Sequence, residues 1–189
     1  MLNDATILAM TGPAIEKSYA GVIRRLGAYA VDAVLLFVTF GLLLGSAFSF
    51  VFYLTVGFEW MQNGWLFWAY VFTVVSLPLW LYYSLFESGV RKATIGMRLL
   101  GLRVTGLNGE RISFGRALLR TVVKLIPFEF NHAVMFLPVP MASEPNPAFR
   151  PGFILVGVLM IVYLASVILT RRKQSIHDLV AGMLVVRGR

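Results

Sequence analysis

Uncharged apolar runs of membrane-spanning length alternate along this chain with short segments that hold nearly all of its charge. Ala33 to Leu54 is a run of 22 residues without a charge, rich in Leu, Phe and Val, and about 20 such residues cross the hydrocarbon core of a bilayer as a helix. The first span is therefore expected over residues 26–54. A second, over 64–86, has Trp60, Trp65 and Trp68 gathered at its start as an interfacial aromatic belt, with Pro78 placed to kink it. A third, over 152–170, is followed at once by Arg171, Arg172 and Lys173.

The region from Ser113 to Pro140 decides the topology, because three spans separate the two ends of the chain and four bring them together. Of the 17 Lys and Arg, all but Arg150 fall in residues 17–25, 91–124 or 171–189. The positive-inside rule puts these three regions on the cytoplasmic side, which requires an even number of spans. Residues 117–140 are accordingly expected to cross as well. Lys124, Glu129, Asn131, His132 and Pro127 interrupt this segment, so a re-entrant or interfacial course is the alternative. Arg116, Arg120 and Lys124 recur every four residues, which sets them in one stripe and predicts a basic amphipathic helix at the inner interface. Upstream, Asn108-Gly109 between the apolar runs 99–105 and 111–114 predicts a short cytoplasmic β-hairpin. Met183 to Val186 is strand-like and suited to that hairpin's edge.

The expected fold is thus an all-α membrane protein: a four-span helical bundle carrying a short β-hairpin and a basic amphipathic helix. Its membrane domain covers residues 20–187, after a cytoplasmic N-terminal segment over 1–19. Composition agrees, with 58% hydrophobic and 14% charged residues and a mean hydropathy of +0.78. The net charge of +8 flanks apolar runs instead of forming a nucleic-acid-binding patch, so the expected partner is a bilayer with anionic headgroups and not a nucleic acid. Cysteine is absent, which removes disulfide, thiolate-metal and thiol chemistry. No signal-peptide pattern opens the first 25 residues, and a multi-pass protein of the inner or plasma membrane with both termini cytoplasmic is expected.

Three motifs in order resemble the RDD family of small membrane proteins. Arg25-Leu26-Gly27-Ala28-Tyr29-Ala30-Val31-Asp32 resembles its opening motif, Thr94 to Val104 its central loop, with Arg116 to Arg120 as the helix that follows, and Gln174-Ser175-Ile176-His177-Asp178 its close. The resemblance covers residues 20–187 and implies Arg25, Asp32 and Asp178 as the residues for which the family is named. Met97 stands where the family often has Lys, and Glu129 to His132 resembles a feature of only part of it. The resemblance implies two functions: cation exchange for protons, or a scaffold in membrane complexes.

Asp32 is the sharpest candidate for chemistry. An ionised Asp deep in a spanning helix costs about 2.5–3.5 kcal/mol on insertion scales, so it is expected to face a partner on another span, or to be protonated. It lies seven residues beyond Arg25, about 10 Å along a helix, too far for an easy direct pair. A proton-coupled transport site and a structural hydrogen bond both remain open for it. Glu129 and His132, three apart, share a helix face and are candidate relay groups for protons and monovalent cations. One Glu-x-x-His does not make a di-iron site, so no metal or cofactor is expected. Arg25 and Asp178 are a candidate ion pair locking the tail to the first helix. Ser175, His177 and Asp178 are adjacent in sequence without a nucleophile elbow, and the loop glycines lack a Gly-Lys-Ser/Thr; no enzyme is expected. Gly41 and Gly45, four apart, allow close helix packing, either internal or in a homo-oligomer.

Overall fold

In chain order the computed structural model, which describes residues 19–188, contains α1 (Val22–Val56), α2 (Gly64–Ser88), α3 (Ile95–Leu99), β1 (Leu102–Gly106), α4 (Phe114–Phe136), α5 (Gly152–Leu169), α6 (Ile176–Val180) and β2 (Met183–Arg187). α1, α2, α4 and α5 are the four helices long and apolar enough to cross a membrane, as the hydropathy pattern anticipates. The expected N-terminal segment lies outside the described residues except for Tyr19. Only 11–17% of the most apolar stretch of each long helix is buried within the protein. The rest turns Leu, Phe and Val side chains outward, as helices bathed in lipid do.

Two of the long helices are locally unwound. α1 is π-helical over Phe37–Leu44 and α2 over Phe72–Ser76, the latter just before Pro78, whose missing N–H disturbs the regular ladder. The two are stitched together where the Tyr70 hydroxyl of α2 donates to the Gly45 carbonyl of α1 at 2.9 Å. Gly45 faces Val74 of α2, so its small size serves packing within the chain. Pro127 does not interrupt α4, which runs unbroken through it. A proline here frees the carbonyl four residues earlier, and the Tyr163 hydroxyl of α5 donates to that Val123 carbonyl at 2.7 Å. A neighbouring helix thus satisfies the group, as buried backbone in a bilayer requires.

The sheet differs from the expected hairpin. β1 pairs antiparallel with β2, Leu102 opposite Arg187 through Gly106 opposite Met183, and residues 111–113 after the Asn-Gly turn form no strand. The turn does form, with Gly106 N–H donating to the Glu110 carbonyl at 3.1 Å, but the tail outcompetes the nearer segment for β1. The pairing buries Met183, Leu184 and Val185, and Met183 and Val185 pack in one core with Leu102 and Val104. Tyr19 bridges Val186 on the other side of β2, so both described ends of the chain meet at one end of the bundle.

That end holds the main apolar core, built from Ala28, Ala93, Met97, Val104, Ala117 and Val185 with their neighbours. The basic stripe of α4 also departs from expectation. It faces inward, with Arg120 fully buried and Lys124 7% exposed, so the first turns of α4 are not an amphipathic helix lying at a lipid surface. At the opposite end Arg150, the exception to the charge pattern, donates to the carbonyls of Val134, Leu137 and Val139 and to Glu144. Its charge is consumed in closing the α4–α5 loop.

Tyr163→Phe should leave the Val123 carbonyl without a donor and lower stability by about 1–3 kcal/mol, read as a fall in the thermal unfolding midpoint in detergent with the helix content unchanged.

Candidate functional site

The sequence Gln174-Ser175-Ile176-His177-Asp178 builds one helix start. Ser175 precedes α6, and its backbone N–H donates to Asp178 Oδ2 at 3.1 Å, the acid's half of a capping box. This local geometry fixes the Asp178 carboxylate, which is fully buried, between two arginines. Arg25 of α1 reaches Oδ2 at 2.5 Å and Arg120 of α4 donates from Nε to Oδ1 at 2.8 Å. Arg120 continues to Glu87 at the end of α2, with Nη1 2.5 Å from Oε1, and Lys124 donates to the same oxygen at 3.2 Å. Lys124 Nζ also lies 3.2 Å from the centre of the Tyr83 ring, a cation–π contact. Five buried charges thus join α1, α2, α4 and α6. Arg116, one turn before Arg120, donates to the Ala181 and Gly182 carbonyls at the end of α6.

Asp32 stands in a separate, fully satisfied site. Its Oδ1 accepts from the Tyr82 hydroxyl of α2 at 2.7 Å and from the Gly96 N–H of α3 at 2.7 Å, and its Oδ2 accepts from the Thr94 hydroxyl at 2.6 Å. Thr94 in turn caps α3 by accepting from Met97 N–H at 3.2 Å, so the carboxylate sits at a helix start where N–H groups favour negative charge. Gly96 is required for this approach: a Cβ there would strike the Ala28 carbonyl and the Asp32 carboxylate.

Among the residues singled out from sequence, the structure brings Arg25 and Asp178 together and keeps Asp32 apart from both. Glu129 and His132 share a face of α4, their nearest N–O distance 3.7 Å, with Ser76 and Trp80 of α2 beside the carboxyl. Both line a cavity of about 700 Å³ between α1, α2, α4 and α5, whereas Asp32 does not. Sequence reasoning missed Glu87 as a partner, and the burial of Arg120 and Lys124. A signal existed: an acid closing one apolar span and a basic stripe opening another can neutralise each other if the two helices pack, as α2 and α4 do.

Burial alone would raise the Asp178 carboxyl, but Arg120 and Arg25 hold it well below the usual carboxylate range. Burial pushes His177, 4% exposed, well below an ordinary imidazole, so it is neutral in the fold. The two titrations act at different pH. An unfolded His takes up a proton below about pH 6.5 that folded His177 refuses, so its penalty grows as pH falls below that value. Asp178 stabilises the fold above the unfolded carboxyl value near 3.9, and that contribution is lost as pH falls further towards its depressed folded value.

Thermal unfolding midpoints measured from pH 8 to pH 3 should therefore fall first below about 6.5 and more steeply below about 4, with His177→Phe removing the first decline and leaving the second. Gly96→Ala should destabilise by about 1–3 kcal/mol, seen as a lower unfolding midpoint, while Gly115→Ala, whose Cβ meets open space, should not.

No curated protein and no solved structure matches this chain. The model of the RDD family matches residues 19–182, a stretch that holds all four spans, the Asp32 clamp and the network around Asp178. With that coverage, the chain belongs to the RDD family of membrane proteins.

Proposed function

We propose that the protein is a non-catalytic membrane scaffold, or an accessory subunit of a membrane complex, lying in the cell membrane with both termini in the cytoplasm. The orientation rests on the gathering of Lys and Arg at the sheet-bearing end of the bundle. Ile23, Val90 and Leu99 are exposed there, as are the charged Arg24 and Arg91, a mixture suited to anionic headgroups. The observation that carries the reading is the saturation of Asp32 by three short hydrogen bonds away from the cavity. A carrier carboxylate has to exchange its partners with each ion or proton. This one holds α3 against α1 and α2.

A second reading, proton-coupled transport of a cation or small solute, is favoured by one observation: Glu129 and His132 line the cavity, and Glu129 Oε2 and His132 Nδ1 have no hydrogen-bond partner among the described residues. In that reading the working acid is Glu129, Asp32 remains architectural, and a homo-oligomer supplies the room that four helices lack.

Proteoliposomes holding a pH-sensitive dye, pulsed with Na⁺, K⁺ and Li⁺, distinguish the two. The expected outcome is no cation-dependent proton flux, together with a stability loss on the order of 1.5–3 kcal/mol for Asp32→Asn, the worth of a hydrogen bond to a charged group. Flux that disappears in Glu129→Gln would establish the transport reading, and flux that disappears in a well-folded Asp32→Asn would make Asp32 the carrier after all.

A further inference from the structure

The cavity between the four long helices has a shape and a polarity that the scaffold reading does not use. Its volume of about 700 Å³ lies within the range of about 300–1,000 Å³ typical of ligand sites. Leu36, Leu79, Leu125, Phe128 and Val167 make its walls largely apolar. It is not sealed. α1 and α5 touch only sparsely, and the cavity residues Ala30 and Ala33 on α1 and Leu164 on α5 are exposed, so the gap between these helices opens sideways to the acyl chains of a bilayer.

Polar groups reach the cavity at two levels. Ser76, Glu129 and His132 lie at the deeper one. Arg25, Tyr29, Lys124, Ser175 and His177 lie at the other, on the side where α1 begins and α5 ends, which the proposed orientation turns towards the cytoplasmic headgroups. At this second level Arg25 Nη2, the Tyr29 hydroxyl and both ring nitrogens of His177 have no hydrogen-bond partner among the described residues. Unpartnered buried polar groups are uncommon, and the guanidinium N–H, the hydroxyl and the single N–H of a neutral His177 point to a missing acceptor. The contacting charges are also unbalanced: Arg25, Arg120 and Lys124 face only Glu87 and Asp178. Asp32 is saturated by uncharged donors and reaches Lys124 only at longer range.

We propose that this cavity binds one anionic phospholipid of the surrounding membrane, its acyl chain entering between α1 and α5 and its phosphate resting at the end formed by Arg25, Tyr29, Lys124 and His177. The chain length of apolar wall and the excess positive charge at headgroup level select an anionic amphiphile over a zwitterionic one. Glu129 repels an anion from the deeper level, which fixes the orientation.

Native mass spectrometry of the purified full chain tests this, with phosphatidylglycerol, phosphatidylcholine of the same acyl chains, and inorganic phosphate as probes. The expected result is one phosphatidylglycerol per chain, held about tenfold more tightly than phosphatidylcholine, the fold-change of one charge-assisted hydrogen bond. Ala33→Trp, which fills the mouth from an exposed position, should abolish that adduct; Leu164→Trp does the same from α5 if the first variant folds poorly. Tyr29→Phe should narrow the preference for the anionic lipid. Equal binding of the two lipids, retention of the adduct in a well-folded blocked variant, or displacement of phosphatidylglycerol by phosphate alone would each overturn the proposal, the last by making this a site for a free anion.

Discussion

Placing the Asp178 carboxylate beyond the reach of water costs several kcal/mol unless its charge is met on every side, and the architecture of the sheet-bearing end follows from meeting it. Arg25 comes from the start of α1, Arg120 from the second turn of α4, and the Ser175 N–H from the start of α6. None of these elements can shift without leaving a buried charge exposed to an apolar surrounding. Because Arg120 also serves Glu87 of α2, the same constraint reaches a third long helix. The arginine geometry matters: a planar fork satisfies two carboxylates at once, which an ammonium cannot do with the same direction.

The Asp32 clamp applies the same logic with uncharged donors. Water-free surroundings strengthen each of its three hydrogen bonds, and they come from α2, from the loop before α3 and from the α3 backbone. The loop between the second and third spans is thereby drawn into the helix bundle, where Met97 and Ala93 join the apolar core. That core in turn receives β2. The two ends of the described chain and the central loop are thus one packed unit, and the lipid-facing helices project from it with few buried side chains of their own.

This division explains why a large cavity persists between the helices. Without a hydrophobic driving force between helices in lipid, close packing has to come from small residues and specific polar contacts. Those contacts are concentrated at the charged end and at Tyr70, Tyr163 and Arg150. Among the described residues the seam between α1 and α5 has no side-chain hydrogen bond across it, and it is where the bundle stays open.

The sequence alone determined what the solvent dictates residue by residue. Runs such as Ala33 to Leu54 and Gly152 to Thr170 have to lie in hydrocarbon, and their number and the placement of Lys and Arg follow from the cost of moving charge across it. Asp32, Arg25 and Asp178 were legible as buried or interfacial charges for the same reason. Partner choice was not legible, because it depends on distances between residues far apart in the chain. The Asn108-Gly109 turn specifies a reversal but not which strand β1 prefers: Met183 to Arg187 takes the pairing, with Met183 and Val185 in the core, while Ile112 joins that core without pairing as a strand. Likewise Arg116, Arg120 and Lys124 read as the basic stripe of an amphipathic helix at the inner interface until Glu87 and Asp178 are brought opposite Arg120 and Lys124. Hydropathy sees each residue's cost in a bilayer; only the tertiary structure decides which opposite charge or donor removes that cost.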